Sequence, residues 1–338
     1  MATTSTAPEG TGDVPIEANP DFSSETDSTL GDDESTYTAS ITSSIVNYPY
    51  ENGRRYHAFK DGVYQLPNDD QEMDRLDLTH GMLRLILKNK LFLAPIGSKP
   101  QRILDIGTGT GIWAIEMADE FPSAEVIGTD LSPTQPTLVP PNVKFEVDDC
   151  EETWTFPQKF DLIHARYMAA GISDWPKLIK QTFDHVEPGG WAEFQDFDLL
   201  YYSDDGSLTE EHALRKWVVE LLGAFEQIGK ETKPGPKLAG WFRDAGFQNV
   251  TVHKYKCPIG PWPKDKELRT IGAWNSLAVG EGLEGFTVRL YTTLLGWKPE
   301  EVQVLLANVR KNLNDPKIHP QFDFYVVSGQ KPEEPSAE

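Results

Sequence analysis

Short strand-like segments alternate with amphipathic ones through the middle of the chain. Segments that predict strands occupy residues 102–106, 125–130, 143–149, 160–166 and 189–198. Apolar residues recur at helical spacing over residues 111–121 and 174–186. Strands that alternate with helices predict an α/β fold, in which a parallel sheet has helices on both faces.

The pattern changes on either side of this alternation. From Asp69 onward, apolar residues at helical spacing predict a helix before the first strand. After Tyr202 we predict helices over residues 208–229 and 236–247, a strand over 248–260, a mostly helical stretch over 262–312 and a last strand over 321–332. We therefore assign residues 46–330 to one domain, with an N-terminal helical cap and a late helical insertion at about 257–315, followed by a polar tail over 331–338.

Residues 1–45 contain no Lys or Arg and are rich in Ser, Thr, Asp and Glu. Such a segment buries too little apolar surface to offset the entropy of ordering, so it predicts a disordered acidic tail. The formal net charge of the chain is −22, which repels a phosphate backbone. Direct binding to nucleic acid is therefore not expected.

Several features bear on location. The chain has no apolar run of the length that spans a bilayer, and its first residues lack the basic and apolar regions of a secretory signal. Its two cysteines, Cys150 and Cys257, predict neither a disulfide framework nor a zinc site. We expect no membrane association and a cytoplasmic protein, with the nucleus as the alternative.

The stretch "ILDIGTGTGIWA" (residues 103–114) is a strand that runs into a glycine-rich turn and a helix, which is typical of nucleotide-cofactor sites. Its glycines are spaced Gly-x-Gly-x-Gly, unlike the usual dinucleotide fingerprint, and no Gly-Lys-Ser/Thr follows. The carboxylate of Asp105, just before the turn, favours an ammonium or sulfonium group over a phosphate. Asp130 ends the second strand, where an acid can accept from ribose hydroxyls. The predicted ligand is therefore an adenosine that carries an amino acid.

These motifs resemble those of class I S-adenosylmethionine-dependent methyltransferases. The stretches "ILDIGTGTG", "VIGTD", "VKFEVDDCEE", "FDLIHAR" and "PGGWAEFQDF" carry the resemblance. With "ENGRRYHAF", "LPNDDQEMDRLDLTH" and "ISDWPKL", the chain more closely resembles the LaeA-like methyltransferases of fungi from about Asn47 to Pro332. The resemblance implies a Rossmann-like sheet of seven strands whose last strand, "QFDFYVVSGQ", is antiparallel.

The resemblance also implies a set of residues that bind S-adenosyl-L-methionine. The loop that should face the methionine part of this cofactor comprises Asp105, Gly107, Thr108, Gly109 and Gly111. Asp130 should bind the ribose, and Leu131 should line the adenine. Asp149 should accept from the adenine amino group, and the Cys150 backbone should contact the ring edge. His164 should lie near the sulfonium, and Tyr56 should close over the carboxylate end.

Alternatives remain open for several of these residues. Asp130 could instead cap a helix, and Asp148 could replace Asp149 at the adenine. His164 is a candidate catalytic base, with a packing role as its alternative. Asp196 and Asp198 could in principle bind Mg²⁺, but a solvated loop is favoured, and we expect no metal.

The predicted activity is methyl transfer to an oxygen, nitrogen or carbon atom of a small-molecule acceptor in secondary metabolism. The alternative is a regulatory subunit that binds a protein partner in a nuclear complex and controls expression of secondary-metabolism genes. The glycine spacing disfavours an NAD-dependent oxidoreductase. The segment "TIGAWNSLAVGEGLEGFTVRL" (residues 270–290) is a candidate wall of the acceptor pocket, or else an ordinary helical cover of the sheet.

Overall fold

The computed structural model describes residues 14–19, 47–60 and 64–333. Most of the predicted acidic tail and the end of the predicted polar tail lie outside the described residues. Residues 14–19 lie within that predicted tail and are paired with the body of the protein. The amide of Asn19 donates to the Trp262 carbonyl, and the amide of Lys264 donates to the Glu17 carbonyl, both at 2.7 Å.

A sheet of seven strands forms the centre of the fold. Its strands are β3 (Arg102–Ile106), β4 (Glu125–Asp130), β5 (Val143–Val147), β6 (Phe160–Arg166), β7 (Val186–Tyr202), β8 (Gln248–Pro258) and β9 (Gln321–Gln330), and a separate two-stranded ribbon comprises β1 (Tyr50–Glu51) and β2 (Arg54–Arg55). The order in the sheet is β5-β4-β3-β6-β7-β9-β8. Strand β9 runs antiparallel to both of its neighbours, whereas the pairs from β5 to β7 are parallel. The seven-stranded fold with an antiparallel last strand is thus confirmed.

Seven helices surround the sheet in the described part of the chain. They are α1 (Asp70–Ile86), α2 (Ile112–Glu120), α3 (Trp175–His185), α4 (Ala213–Gln227), α5 (Gly235–Ala245), α6 (Lys266–Thr293) and α7 (Pro299–Leu313). Helices α6 and α7 lie in the interval where the sequence predicts the helical insertion. None of the described helices is long and apolar enough to cross a bilayer.

The core is divided by the sheet, because successive side chains of a strand point to opposite faces. Ile103 packs in a cluster with the buried residues of α2, whereas Leu104 packs in another with those of α3 and α5. Helices therefore cover both faces, as predicted. A third cluster joins α1, α4, α6 and α7 to the far strands β7 and β9.

The strand predictions differ from the structure mainly at the ends. Strand β5 ends at Val147 rather than Asp149, which leaves Asp148 and Asp149 in the loop that follows. Strand β7 is longer than predicted, from Val186 to Tyr202, because β9 pairs with it as far as Tyr202. Both differences bear on the site, since the carboxyl ends of the parallel strands meet at one edge of the sheet.

Candidate functional site

A large cavity opens beyond the carboxyl ends of β3, β4 and β6. It has about 1290 Å³ of empty space, part of which is open to solvent. The loops after these strands form one wall, and α1 with the segment before it forms the other. Of the predicted site residues, those that line it are Asp105, Gly107, Thr108, Gly109, Asp130, Leu131, Asp149 and Cys150. The structure therefore brings together eight residues that are spread over 46 positions of the sequence.

The glycine loop has the backbone conformation that its sequence suggests. Gly107, Gly109 and Gly111 all have positive φ angles, of +64°, +58° and +81°. Other residues adopt this region only at a cost of about 1–2 kcal/mol, so glycine suits these positions. Gly111 precedes the first residue of α2, where it does not line the cavity.

Asp105 lies one residue before the end of β3, in a buried network, and is only 3% exposed. Its Oδ2 accepts from the Thr108 hydroxyl at 2.6 Å, and its Oδ1 accepts from His164 Nδ1 at 2.8 Å. The His164 ring stacks on Trp113 with 3.7 Å between ring centroids. The network fixes the orientation of Asp105 at the cavity wall.

Asp130 connects two loops through its carboxylate. Its Oδ2 accepts from the Gly109 amide and its Oδ1 accepts from the Ser132 amide, both at 2.9 Å. Burial raises the pKa of Asp130, although these amides favour its charged form. Each carboxylate oxygen can accept more than one hydrogen bond, so Asp130 can still bind hydroxyl groups in the cavity. The amides it accepts from belong to loops, which leaves the helix-cap alternative without support.

The loop after β5 places both of its acids at the cavity. Asp149 accepts from the Glu151 amide at 2.9 Å and pairs with Lys60 at 2.7 Å. Burial raises the pKa of the neighbouring Asp148 carboxyl. The structure therefore leaves both candidates for the adenine at the site, with Asp149 the more buried of the two.

Three predicted residues do not line the cavity, and besides Gly111 they are His164 and Tyr56. His164 is fully buried and does not line the cavity, because it pairs in register with Asp105 inside the sheet and its ring packs behind that residue. This is the packing alternative, and His164 has no access to an acceptor. Tyr56 is also fully buried, under the Arg289 guanidinium at 4.4 Å, and the cavity is lined instead by His57 and Tyr64 of the same segment.

The sequence analysis missed several cavity residues, among them Arg166, His80 and Glu72. Arg166, at the end of β6, donates from Nη2 to His80 Nδ1 on α1 at 2.9 Å. Burial, followed by the charge of Arg166, lowers the pKa of His80 to about 3, so the imidazole is neutral and accepts this bond. Burial also lowers the pKa of Arg166 to about 10. Glu72 of α1 is the third, paired with Arg75 through both carboxylate oxygens.

The available signal for these three residues was weak. Arg166 could have been found as a charged residue at the carboxyl end of a parallel strand. His80 and Glu72 lie on helix α1, whose sequence predicts only an amphipathic helix that covers the sheet. Their position at the cavity follows from the packing of α1 against the strand ends, which the sequence does not show.

Asp196, the candidate magnesium ligand, has a different role. It is 1% exposed and accepts from the amides of Met168, Ala169 and Phe197 at 2.7, 3.2 and 2.8 Å. Burial raises its pKa to about 7. Asp196 therefore fixes the loop after β6, and the expectation of a solvated loop is wrong for this residue because its carboxylate is enclosed.

Comparisons with known proteins find a family model and relatives that each match more than half of the chain. A family model for a methyltransferase domain matches residues 78–252. Methyltransferase pytC of Aspergillus terreus is 46% identical over 294 residues, which cover 87% of this chain and 91% of that protein. Secondary metabolism regulator LAE1 of Cochliobolus heterostrophus is 35% identical over 291 residues, which cover 84% and 95%.

Among solved structures, phosphoethanolamine N-methyltransferase 2 of Haemonchus contortus in complex with S-adenosyl-L-methionine superposes with a TM-score of 0.47 at 19% identity, over 75% of this chain and 53% of that chain.

Proposed function

The chain belongs to the LaeA-like family of S-adenosylmethionine-dependent methyltransferases, and on this basis we propose that it methylates a small-molecule acceptor of secondary metabolism. The observation that carries the proposal is the cavity itself, where the buried Asp105 and Asp149 and the half-buried Asp130 surround a glycine loop with positive φ angles. The pytC relative, which matches along nearly its whole length, supports the same reading.

The residues of the cavity fit the cofactor. Asp130 has lone pairs left for the two ribose hydroxyls, and Asp149 or Asp148 would accept from the adenine amino group. Asp105, at the edge of the glycine loop, favours the amino group of the methionine part. Arg166 supplies a positive charge to the same cavity and suits a carboxylate. When bound, the cofactor supplies an electrophilic methyl group.

The protein's own contribution is to bind, orient and exclude water. Glu72 and Arg75 neutralise each other inside the protein, so this part of the wall offers no free charge to an acceptor. The apolar side chains of Met73, Leu76 and Met168 also line the cavity. Holding an acceptor against such a wall aligns the reacting atoms and keeps water away, and proximity of this kind supplies much of the rate of a displacement.

Calorimetry with S-adenosylhomocysteine tests the proposal. The substitution Asp130→Asn should weaken binding by about 10- to 100-fold, since hydrogen bonds to a charged group contribute about 1.5–3 kcal/mol. Glu146→Gln is the matched control, because this acid lies on the adjacent strand β5 and does not line the cavity. Thermal unfolding without ligand separates loss of binding from loss of fold. Unchanged affinity in Asp130→Asn would remove this residue from the proposed site.

A second candidate function is regulation, which the likeness to the LAE1 regulator favours. Deletion of the gene followed by metabolite profiling separates the two. An enzyme of one pathway should leave a single product lighter by one methyl group, whereas a regulator should change the levels of many unrelated products. Complementation with Asp130→Asn then shows whether either effect depends on cofactor binding.

A further inference from the structure

A second, smaller cavity adjoins the first. It has about 350 Å³ of empty space, including its mouth, and lies between α1, α6 and the strands β7 and β9. Its walls include the aromatic side chains of Phe197, Tyr201, Phe286 and Phe322, with aliphatic and polar side chains between them. Thr79 and Tyr167 line both cavities, so they form the partition between them. We call the second cavity the aromatic chamber.

The partition at Tyr167 is built with backbone strain. Tyr167 has a φ angle of +60°, in the left-handed region that a residue with a side chain rarely adopts. Its amide donates to the Gln195 carbonyl at 3.1 Å, and the next two amides donate to Asp196. A strained backbone conformation persists where surrounding hydrogen bonds hold it in place. Such positions are concentrated at functional sites.

The Tyr167 hydroxyl is oriented by a buried ion pair. Arg75 Nη1 donates to it at 3.1 Å, while Arg75 Nε and Nη2 donate to the two oxygens of Glu72 at 2.9 and 2.6 Å. Arg75 and Glu72 are 2% and 3% exposed. A buried ion pair contributes little to stability compared with apolar packing, but it can specify geometry. Here it fixes one lone pair of the hydroxyl and leaves the O–H proton to donate.

The hydroxyl remains a donor at neutral pH. Burial is the largest cause that raises the pKa of Tyr167, and the Arg75 charge offsets only part of it. The Arg75 guanidinium also lies over the Phe286 ring at 4.9 Å, so its charge is covered on the side of the chamber. The walls of the chamber thus combine aromatic rings with the oriented hydroxyl of Tyr167, and the charge of Arg75, which also lines the chamber, is paired with Glu72.

We propose that the aromatic chamber binds the acceptor, and that the acceptor is an uncharged aromatic molecule whose oxygen accepts a hydrogen bond from Tyr167. That the bound molecule is the methyl acceptor rests on the proposed function. Binding of an aromatic molecule in the chamber does not depend on that function. The ring is held between α6 and the strands, and the oxygen lies at the partition, where the chamber meets the larger cavity.

Ligand-observed NMR with four probes of nearly equal shape tests the chemistry. The probes are p-cresol, toluene, 4-methylbenzoate and 4-methylbenzylamine. We expect p-cresol to bind tightest, toluene about 10-fold more weakly for want of the hydrogen bond, and the two charged probes not at all. Tighter binding of either charged probe than of p-cresol would overturn the proposal.

Three variants locate the binding. Tyr167→Phe should reduce p-cresol affinity to that of toluene and leave toluene unchanged. Ala278→Phe fills the chamber from α6, where Ala278 is 3% exposed, and should abolish binding of both probes. Val279→Ala enlarges the same wall and should admit 2-naphthol at least 3-fold more tightly than the wild type does. If Ala278→Phe does not fold, the 2-naphthol affinity of Val279→Ala tests the location of binding instead.

Calorimetry with S-adenosylhomocysteine on the same samples separates the two proposals. Wild-type protein that binds p-cresol but not S-adenosylhomocysteine would overturn the proposed function and keep the chamber. Protein that binds S-adenosylhomocysteine while p-cresol affinity is the same in wild type, Ala278→Phe and Val279→Ala would overturn the chamber and keep the function.

Discussion

Two glycines of the same loop should respond differently to substitution by alanine. Gly107 and Gly109 have similar φ angles, of +64° and +58°, so the backbone cost of alanine is about 1–2 kcal/mol at each. Their surroundings differ. A Cβ atom on Gly107 would overlap the Sδ of Met168 and lie 2.8 Å from its Cε, whereas one on Gly109 would meet only Leu76 Cδ1, at 3.5 Å.

The difference sets the magnitudes. Met168 Sδ and Cε are the end of a flexible side chain that borders the open cavity, so relief of the overlap adds only about 1 kcal/mol, and Gly107→Ala should lower the free energy of unfolding by about 2–3 kcal/mol. Gly109→Ala should lower it by about 1–2 kcal/mol, because 3.5 Å is an ordinary contact. Since Gly109 lines the cavity, its new methyl group would occupy ligand space, and affinity for S-adenosylhomocysteine should fall more than stability does.

Urea unfolding measures the stabilities, and a double-mutant cycle isolates the contact with Met168. In the Met168→Ala background, Gly107→Ala should cost about 1 kcal/mol less than in the wild type, while the cost of Gly109→Ala should not change. If the two alanine variants lose equal stability, or if Met168→Ala gives no relief, then the packing of Met168 on the loop is not as described.

Three further predictions concern the structure around the site. Glu193 accepts from the amides of residues 93 and 94, and burial raises its pKa from 4.5 to about 7. Its contribution to the free energy of unfolding is therefore full below pH 4.5 and is lost as the pH rises to about 7. The loss is about 3 kcal/mol. Glu193→Gln should flatten that part of a plot of unfolding free energy against pH, and an unchanged slope would refute the assignment. Asn142→Ala should cost about 1–3 kcal/mol in urea unfolding, because the Asn142 amide donates to three carbonyls around the end of α2, and a loss below 0.5 kcal/mol would count against these bonds. His164→Phe keeps the stacking on Trp113 but removes the bond to Asp105, so calorimetry should show weaker binding of S-adenosylhomocysteine, and full affinity would show that Asp105 needs no such support.

The parts of the site that could be predicted from the sequence are those that a short stretch of residues determines. The glycine loop follows one strand and Asp130 ends another, and the apolar pattern predicts the bounds of both, residues 102–106 and 125–130, as the structure has them. In a parallel sheet, the carboxyl ends of such strands meet at one edge, so the short motifs are enough to bring these residues together.

The predicted positions that differ from the structure belong to residues whose burial depends on distant parts of the chain. His164 is two residues from the end of β6, and only the register with Asp105 shows that its side chain points into the packed layer. Tyr56 lies in a segment with little regular structure, and its burial depends on Arg289 of α6, more than 200 positions away. Periodicity carries no information about contacts of this range.

The two cavities are built by different parts of the chain, and this division has a consequence for how substrate choice could vary. The walls that fit the cofactor come from the ends of β3, β4, β5 and β6, which are neighbouring parallel strands of the sheet. The aromatic chamber takes much of its wall from α6, which packs on α1 and lies outside the central strands. Substitutions at chamber positions of α6, such as Ala278 and Val279, therefore change the volume open to an acceptor without contacting the carboxylates or the glycine loop. If the chamber binds the acceptor as proposed, substitutions on helix α6 can change acceptor specificity. The cofactor site stays unchanged, because it is built on the strands of the sheet.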